Sequence, residues 1–161
     1  MSTKLNSITL SDNITNKMKK LLKDTKNHRL EYGFDICRKN NDLKMRNECN
    51  GTLCSIELPK GCDTDEKLIG DYHTHPRGKS VMSDSDMHVA CRLDFSCIGS
   101  SFSGNDRILC FIRKPGTNSS DCKRDALSML DTEEKFLSNF NKISDKYFTK
   151  IDLSTAEIDR T

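Results

Sequence analysis

At 161 residues the chain has the length of one domain with a core of its own. Its net charge of +2 gives no electrostatic reason to expect a nucleic-acid partner. No apolar run approaches the length of a membrane span. The first residues, Met1-Ser2-Thr3-Lys4-Leu5-Asn6, carry no apolar leader segment, so the expected localisation is cytoplasmic. In that setting Asn13-Ile14-Thr15 and Asn118-Ser119-Ser120 are coincidental matches to glycosylation acceptors. The eight cysteines are expected to be free thiols, most of them small buried apolar residues.

Ser7-Ile8-Thr9-Leu10 reads as a first strand, with Ser11 or Asp12 capping the helix that follows. There Ile14, Met18, Leu21 and Leu22 recur at i, i+4, i+7 and i+8, one apolar stripe. Lys17, Lys19, Lys20 and Lys23 largely fill the other faces, which suits an acidic surface or, more simply, solvent. A strand is expected over 29–37 from the alternation of Leu30, Tyr32, Phe34 and Ile36. That alternation leaves Glu31 on the opposite face, with Gly33 beside it. Residues 39–51 are polar and turn-rich, a hairpin connection, and 52–58 is expected as a strand carrying Glu57. Cys49, Cys54 and Cys62 cluster here; a disulfide or a second metal site would suit them, but their spacing fits no zinc pattern. Cys37, Cys97 and Cys110 in expected strands, and Cys91 in an expected helix, fit simple burial.

Leu68 to Tyr72 reads as a short strand that Pro76, with no N–H for a ladder, ends. Strand alternation puts His73 and His75 on one face. After a loop over 77–82, Ser83-Asp84-Ser85-Asp86 is a capping box, with Asp86 at the third helical position. Strand end and helix start can thus bring two imidazoles and one carboxylate to a common point. Three N/O ligands with a fourth position left to water are what a catalytic zinc site needs. His88 lies about 200° round the helix from Asp86 and should face elsewhere. The helix is expected to run on through Leu93.

Residues 95–101 and 107–113 are further strands, and the second, apolar on both faces, should be central and covered on both sides. Lys114-Pro115-Gly116-Thr117-Asn118 breaks the pattern. A helix over 121–147 follows, with Leu127, Leu130, Leu137, Phe140 and Ile143 as its stripe and a mid-helix recap at Asp131-Thr132-Glu133-Glu134. Residues 148–161 give no signal and are taken as a tail.

His73-x-His75-Pro76, six more residues, then Ser83-x-x-Asp86 resembles the signature of the JAMM (JAB/MPN, Mov34-type) zinc metalloproteases. The resemblance covers roughly 7–115, with the helix over 121–147 as its completion. It implies one α/β domain over 1–147, a mixed curved β-sheet flanked by helices. It also implies a peptidase or isopeptidase holding one Zn2+ per chain through His73, His75 and Asp86. Glu31, in a Glu-x-Gly of an early strand, would be the acid/base; Glu57 competes for that role but lacks the glycine. Ser83 would hydrogen-bond the developing oxyanion, serve as a helix cap, or do both. Relatives cleave isopeptide bonds to ubiquitin or ubiquitin-like modifiers, trim the tails of sulfur-carrier proteins, or accompany phage tail assembly. A ubiquitin-like C-terminal tail is the expected substrate. Linkage-selective deubiquitinases carry a longer insertion near 102–106, and the short connection here argues against such selectivity. A non-catalytic scaffold is the second reading, although such relatives typically lose ligands that this chain keeps. A thiol-based metal or redox protein is the third.

Overall fold

In the computed structural model the chain is described over residues 2–5, 8–77, 82–128 and 133–153, without the side chains of 55–57, 102 and 133–135. It opens with an antiparallel pair, β1 (Ser2–Leu5) and β2 (Ile8–Ser11). Helix α1 (Asp12–His28) then buries Ile14, Met18, Leu21 and Leu22, the stripe expected from their spacing. Next come β3 (Tyr32–Lys39), β4 (Asp42–Asn50), α2 (Thr52–Glu57), β5 (Lys67–His75) and α3 (Asp84–Ala90). The chain continues through β6 (Phe95–Phe102), β7 (Asn105–Arg113), α4 (Ser119–Leu127), α5 (Glu133–Tyr147) and β8 (Phe148–Asp152).

Six strands form one mixed sheet in the order β4-β3-β5-β6-β7-β8. Among the described residues only β5 and β6 pair in parallel, and α3 lies in the crossover that a parallel pair requires. Alternation along the strands makes two cores. Phe34, Ile36, Tyr72, Cys97 and Ile108 face the layer of α1, β1 and β2. Ile98, Leu109 and Phe111 face α3, α4 and α5, against Met87, Ala126 and Phe140. β7 feeds both cores, as its two apolar faces predict. Phe111, fully buried between Phe140 and Phe148, contributes roughly 1.5–3 kcal/mol by burial alone.

Several expectations need correction. Residues 39–51 are mostly strand: β4 pairs with β3 through a turn at Asn40-Asn41, where Asn40 takes a φ of 56°. β4 is a sheet edge with no wholly apolar face, so periodicity did not reveal it. Residues 52–57 are helical, because a short apolar run has no period of its own and Gly51, at φ 63°, turns the chain first. Glu57 falls in this helix and its side chain lies outside the described residues. β3 begins at Tyr32, leaving Leu30 44% exposed ahead of it. α3 ends at Ala90, short of Leu93.

The expected helix over 121–147 is two helices. Leu130 and the recap residues Asp131 and Thr132 lie outside the described residues, as do the side chains of Glu133 and Glu134. Leu127 and Leu137 are exposed, while Phe140 and Ile143 pack with Cys122, Ala126 and Tyr147. The supposed tail begins with β8, which pairs with β7.

The cysteines are not free thiols. All eight are paired, as Cys37–Cys62, Cys49–Cys54, Cys91–Cys122 and Cys97–Cys110. Burial was expected correctly, but a buried thiol and a buried half-cystine leave the same mark on a sequence. Cys97 and Cys110, for example, become partners only through the register of β6 on β7. Among the described residues no helix is long and apolar enough to cross a membrane.

Candidate metal centre

β5 carries the first two candidate ligands, and its alternation sends Asp71, His73 and His75 to the face under α3. The residues between them point the other way. Thr74 shares a hydrogen bond with the Thr25 hydroxyl of α1, accepts one from the Tyr32 amide at 2.9 Å, and donates to the Tyr32 carbonyl. Tyr72 donates to the Met18 carbonyl of α1 at 2.8 Å. These bonds set the roll of the strand and so the direction of both imidazoles. On the β3 side His73 lies opposite Gly33. A Cβ on Gly33 would stand 2.5 Å from the Tyr72 carbonyl oxygen, so only glycine allows β3 this close.

α3 supplies the third ligand. The Asp86 amide donates to Ser83 Oγ at 3.1 Å, and the Ser83 amide donates to Asp86 Oδ2 at 3.3 Å, the reciprocal cap read from the sequence. The cap turns the Asp86 carboxylate toward the histidines. Oδ2 lies 3.4 Å from His73 Nε2 and 3.8 Å from His75 Nε2, and the two Nε2 atoms are 3.0 Å apart.

Around a tetrahedral zinc, with bonds of about 2.0–2.1 Å, neighbouring ligand atoms lie about 3.3 Å apart. The three observed separations centre on that value. Two neutral histidines and one carboxylate are also the donor set such an ion takes. The residues present therefore fit zinc. Two other acidic or sulfur clusters among the described residues do not compare. In one the sulfurs of Cys37 and Cys62 are joined to each other. In the other, Asp63, Asp65 and Glu66, the last two already pair with Lys39 and Arg46.

The electrostatics follow from burial. Desolvation alone would lower the pKa of His73, but the hydrogen bond and charge of Asp86 outweigh it, and Asp71 and Glu31 add to the effect, raising it to about 9. Burial would raise Asp86, yet the two histidines and the Ser83 amide hold it down at about 2. Burial pushes Asp71 up to about 6, against the opposing pull of His73 and of the Ser96 hydroxyl that donates to it. Asp71 is the residue that sequence reasoning missed. The signal was there, two places before His73 in the alternation that paired the histidines.

A cleft of about 350 Å3 collects these groups, with His73, His75 and Asp71 in its lining. Ser83 at the cap of α3 and Asp86 and Val89 within it line it, with Glu31 ahead of β3, Cys54 in α2 and Leu58 just after α2. All five residues expected from the sequence thus meet in one place, and His88 stays outside it. Glu31 precedes β3 instead of lying within it. Its carbonyl accepts the Gly51 amide at 2.7 Å and lies 3.7 Å from the sulfur of Cys54. The Cys49–Cys54 bridge therefore braces the backbone that carries Glu31. Ser83 Oγ accepts from Asp86, which leaves its own O–H available to donate into the cleft.

Compared with models of known protein families and with curated proteins, the chain matches none.

Proposed function

We propose that the chain is a JAMM-type zinc metallopeptidase that hydrolyses a peptide or isopeptide bond. The observation that carries this reading is the set of three nitrogen and oxygen atoms at zinc-ligand spacing, with Glu31 lining the same cleft. A zinc ion held by His73, His75 and Asp86 would supply Lewis acidity and a water of pKa near 7. Glu31 takes a proton from the attacking water and hands it to the leaving amine. The Ser83 hydroxyl donates to the oxyanion that develops on the scissile carbonyl, a contribution of about 2.7–4 kcal/mol in comparable sites. Asp71, buried two residues before His73 on the same strand face, favours a positive charge on the ring through its own negative charge.

The substrate we favour is the C-terminal tail of a ubiquitin-like or sulfur-carrier protein, as the resemblance of the His73–Asp86 motif implies. Four disulfides argue for an oxidising compartment; a cytoplasmic site would need a cytoplasm that keeps disulfides.

The test is incubation of zinc-loaded protein with C-terminally extended ubiquitin-like and sulfur-carrier fusions, with and without a chelator. Cleavage is expected, abolished by chelation and restored by zinc. Glu31→Gln should slow it by about 10²–10⁴-fold while zinc content stays unchanged. A zinc-loaded wild type that cleaves none of the fusions, or a fully active Glu31→Gln, would overturn the reading.

A further inference from the structure

At the end of the sheet away from the histidines, two cavities of about 270 and 330 Å3 share Ile8 and Arg38 in their linings. On β3, Gly33 stands opposite His73, whereas Arg38 stands opposite Lys67. The five residues from Gly33 to Arg38 carry the strand about 17 Å away from the metal centre.

Three arginines are half-buried among the described residues: Arg38, Arg46 and Arg113. Glu66 holds Arg46 through bonds of 2.7 and 3.2 Å. Arg113 reaches Asp94 at 3.6 Å and donates to the Cys91 carbonyl at 3.1 Å. Arg38 has no hydrogen bond or ion pair among the described residues. A guanidinium presents five N–H donors, and leaving them unmet where water is partly excluded is costly. Lys67, directly across on β5, is likewise without an ion pair among the described residues. Like charges directly opposite destabilise a sheet, so this end of it calls for an anion.

The surroundings supply no carboxylate for Arg38. Lys114 lines the first cavity with its ammonium on the Asp145 carbonyl, a neutral acceptor. Asp94 is the lone carboxylate of the two linings, and Arg113 takes it. Arg38 and Lys114 are thus two positive charges that no carboxylate balances. The second cavity adds the Thr9 hydroxyl and the amides of Asn40 and Asn41, at the turn between β3 and β4. A guanidinium fork beside a second cation matches a phosphate monoester, which carries about −1.5 to −2 charges at pH 7. A carboxylate would balance one charge of the two. An aliphatic body would leave Thr9 and the asparagines unused, whereas a hydroxylated one engages them.

We propose that Arg38 and Lys114 form a binding site for a small phosphate monoester with a hydroxylated body. The site does not depend on the metallopeptidase reading. The probes are glycerol 3-phosphate and ribose 5-phosphate, titrated by calorimetry into the full chain, beside inorganic phosphate, glycerate and glycerol. Saturable binding of at least one ester is expected, tighter than that of inorganic phosphate or glycerate, and glycerol should not bind. Arg38→Gln should weaken it about tenfold or more. Arg38→Lys, which keeps the charge and loses the fork, should fall between the two. Lys114→Gln should weaken it by a smaller factor. Without ligand, Arg38→Gln should melt with wild type or above it, because it removes the like charge facing Lys67.

Absence of saturable binding of either ester, or equal binding by Arg38→Gln, would overturn the proposal. Inorganic phosphate that binds as tightly as the esters would overturn it in favour of a bare-anion site. Equal binding of glycerate would make it a carboxylate site, and tighter binding of a phosphoserine peptide would make it a protein-docking site; either result refutes the assignment. An Arg38→Gln protein that melts below wild type without ligand would make Arg38 a structural residue and refute it too.

Discussion

Replacing Gly33 with alanine tests the candidate centre without any knowledge of the substrate. The added Cβ would stand 2.5 Å from the Tyr72 carbonyl oxygen, 2.9 Å from Leu58 Cδ1 and 3.2 Å from His73 Cβ. Ordinary contact begins near 3.4 Å, so β3 and β5 must part by about 0.9 Å at this point. Leu58 can rotate away; a backbone oxygen and a Cβ cannot. Overpacking of this kind costs about 1–3 kcal/mol, and rigid neighbours put it at the upper end. For a chain of this length each kcal/mol lowers Tm by about 2–4 °C, so metal-free Gly33→Ala should melt about 6–12 °C below wild type. His73 is the register partner of Gly33, so the same displacement separates it from His75 and Asp86. Metal bonds tolerate only about 0.2 Å, and zinc affinity should fall by more than the stability change accounts for. Calorimetry of the metal-free protein and zinc titration against a competing dye measure the two effects. A variant that melts with wild type and binds zinc unchanged would refute both the close approach of β3 and the geometry assigned to His73.

Metal analysis should find one zinc per chain, lost in His75→Ala, and free zinc at a thousandfold excess over Kd should stabilise the fold by about 4.1 kcal/mol. Two equivalents would point to a second centre. In the metal-free protein the His73 contribution is complete below its unfolded pKa of about 6.5 and is lost as pH rises through about 9. The Asp86 contribution is present above its unfolded pKa of about 3.9 and is lost as pH falls through about 2. The buried Asp71, raised to about 6, loses its contribution as pH climbs from about 3.9 through 6. Urea melts should therefore show greatest stability near pH 4, a fall through about pH 6 and a further fall toward about 9, and a profile flat to pH 10 contradicts the pairing. Zinc affinity, which needs neutral imidazoles, should instead climb as pH rises toward 9. Native alkylation should label no cysteine. Replacing Cys91 and Cys122 with serine, which opens a loop with a separation of 31 residues, should cost about 3.7 kcal/mol, against about 2.2 kcal/mol for Cys49 with Cys54. Comparable losses from the two pairs would show that loop length does not set their worth.

His73, His75 and Asp86 were legible because the elements that carry them lie close together in the chain, although the bonds from α1 that set the roll of β5 do not. A strand, a proline stop and a reciprocal cap all fall within residues 67–86, and each has its own sequence grammar. Glu31 could be located but not its support, because Gly51 and Cys54 reach it only after α2 has formed. The disulfides were hidden for the same reason: pairing belongs to the assembled sheet and helices. β4 and β8 are the two sheet edges, and an edge strand need not carry the clean alternation that betrays an inner one. Asp71 was overlooked although nothing hid it, since a carboxylate on a covered strand face invites a partner.

Thr74 sits between the two histidines yet answers to α1, through Thr25, and Tyr72 does the same through Met18. Helix α1 thus grips, by side-chain hydrogen bonds, the strand that carries His73 and His75. A substitution that loosens this grip, far from the cleft and on the other face of the sheet, would free the strand segment between the two imidazoles without touching either.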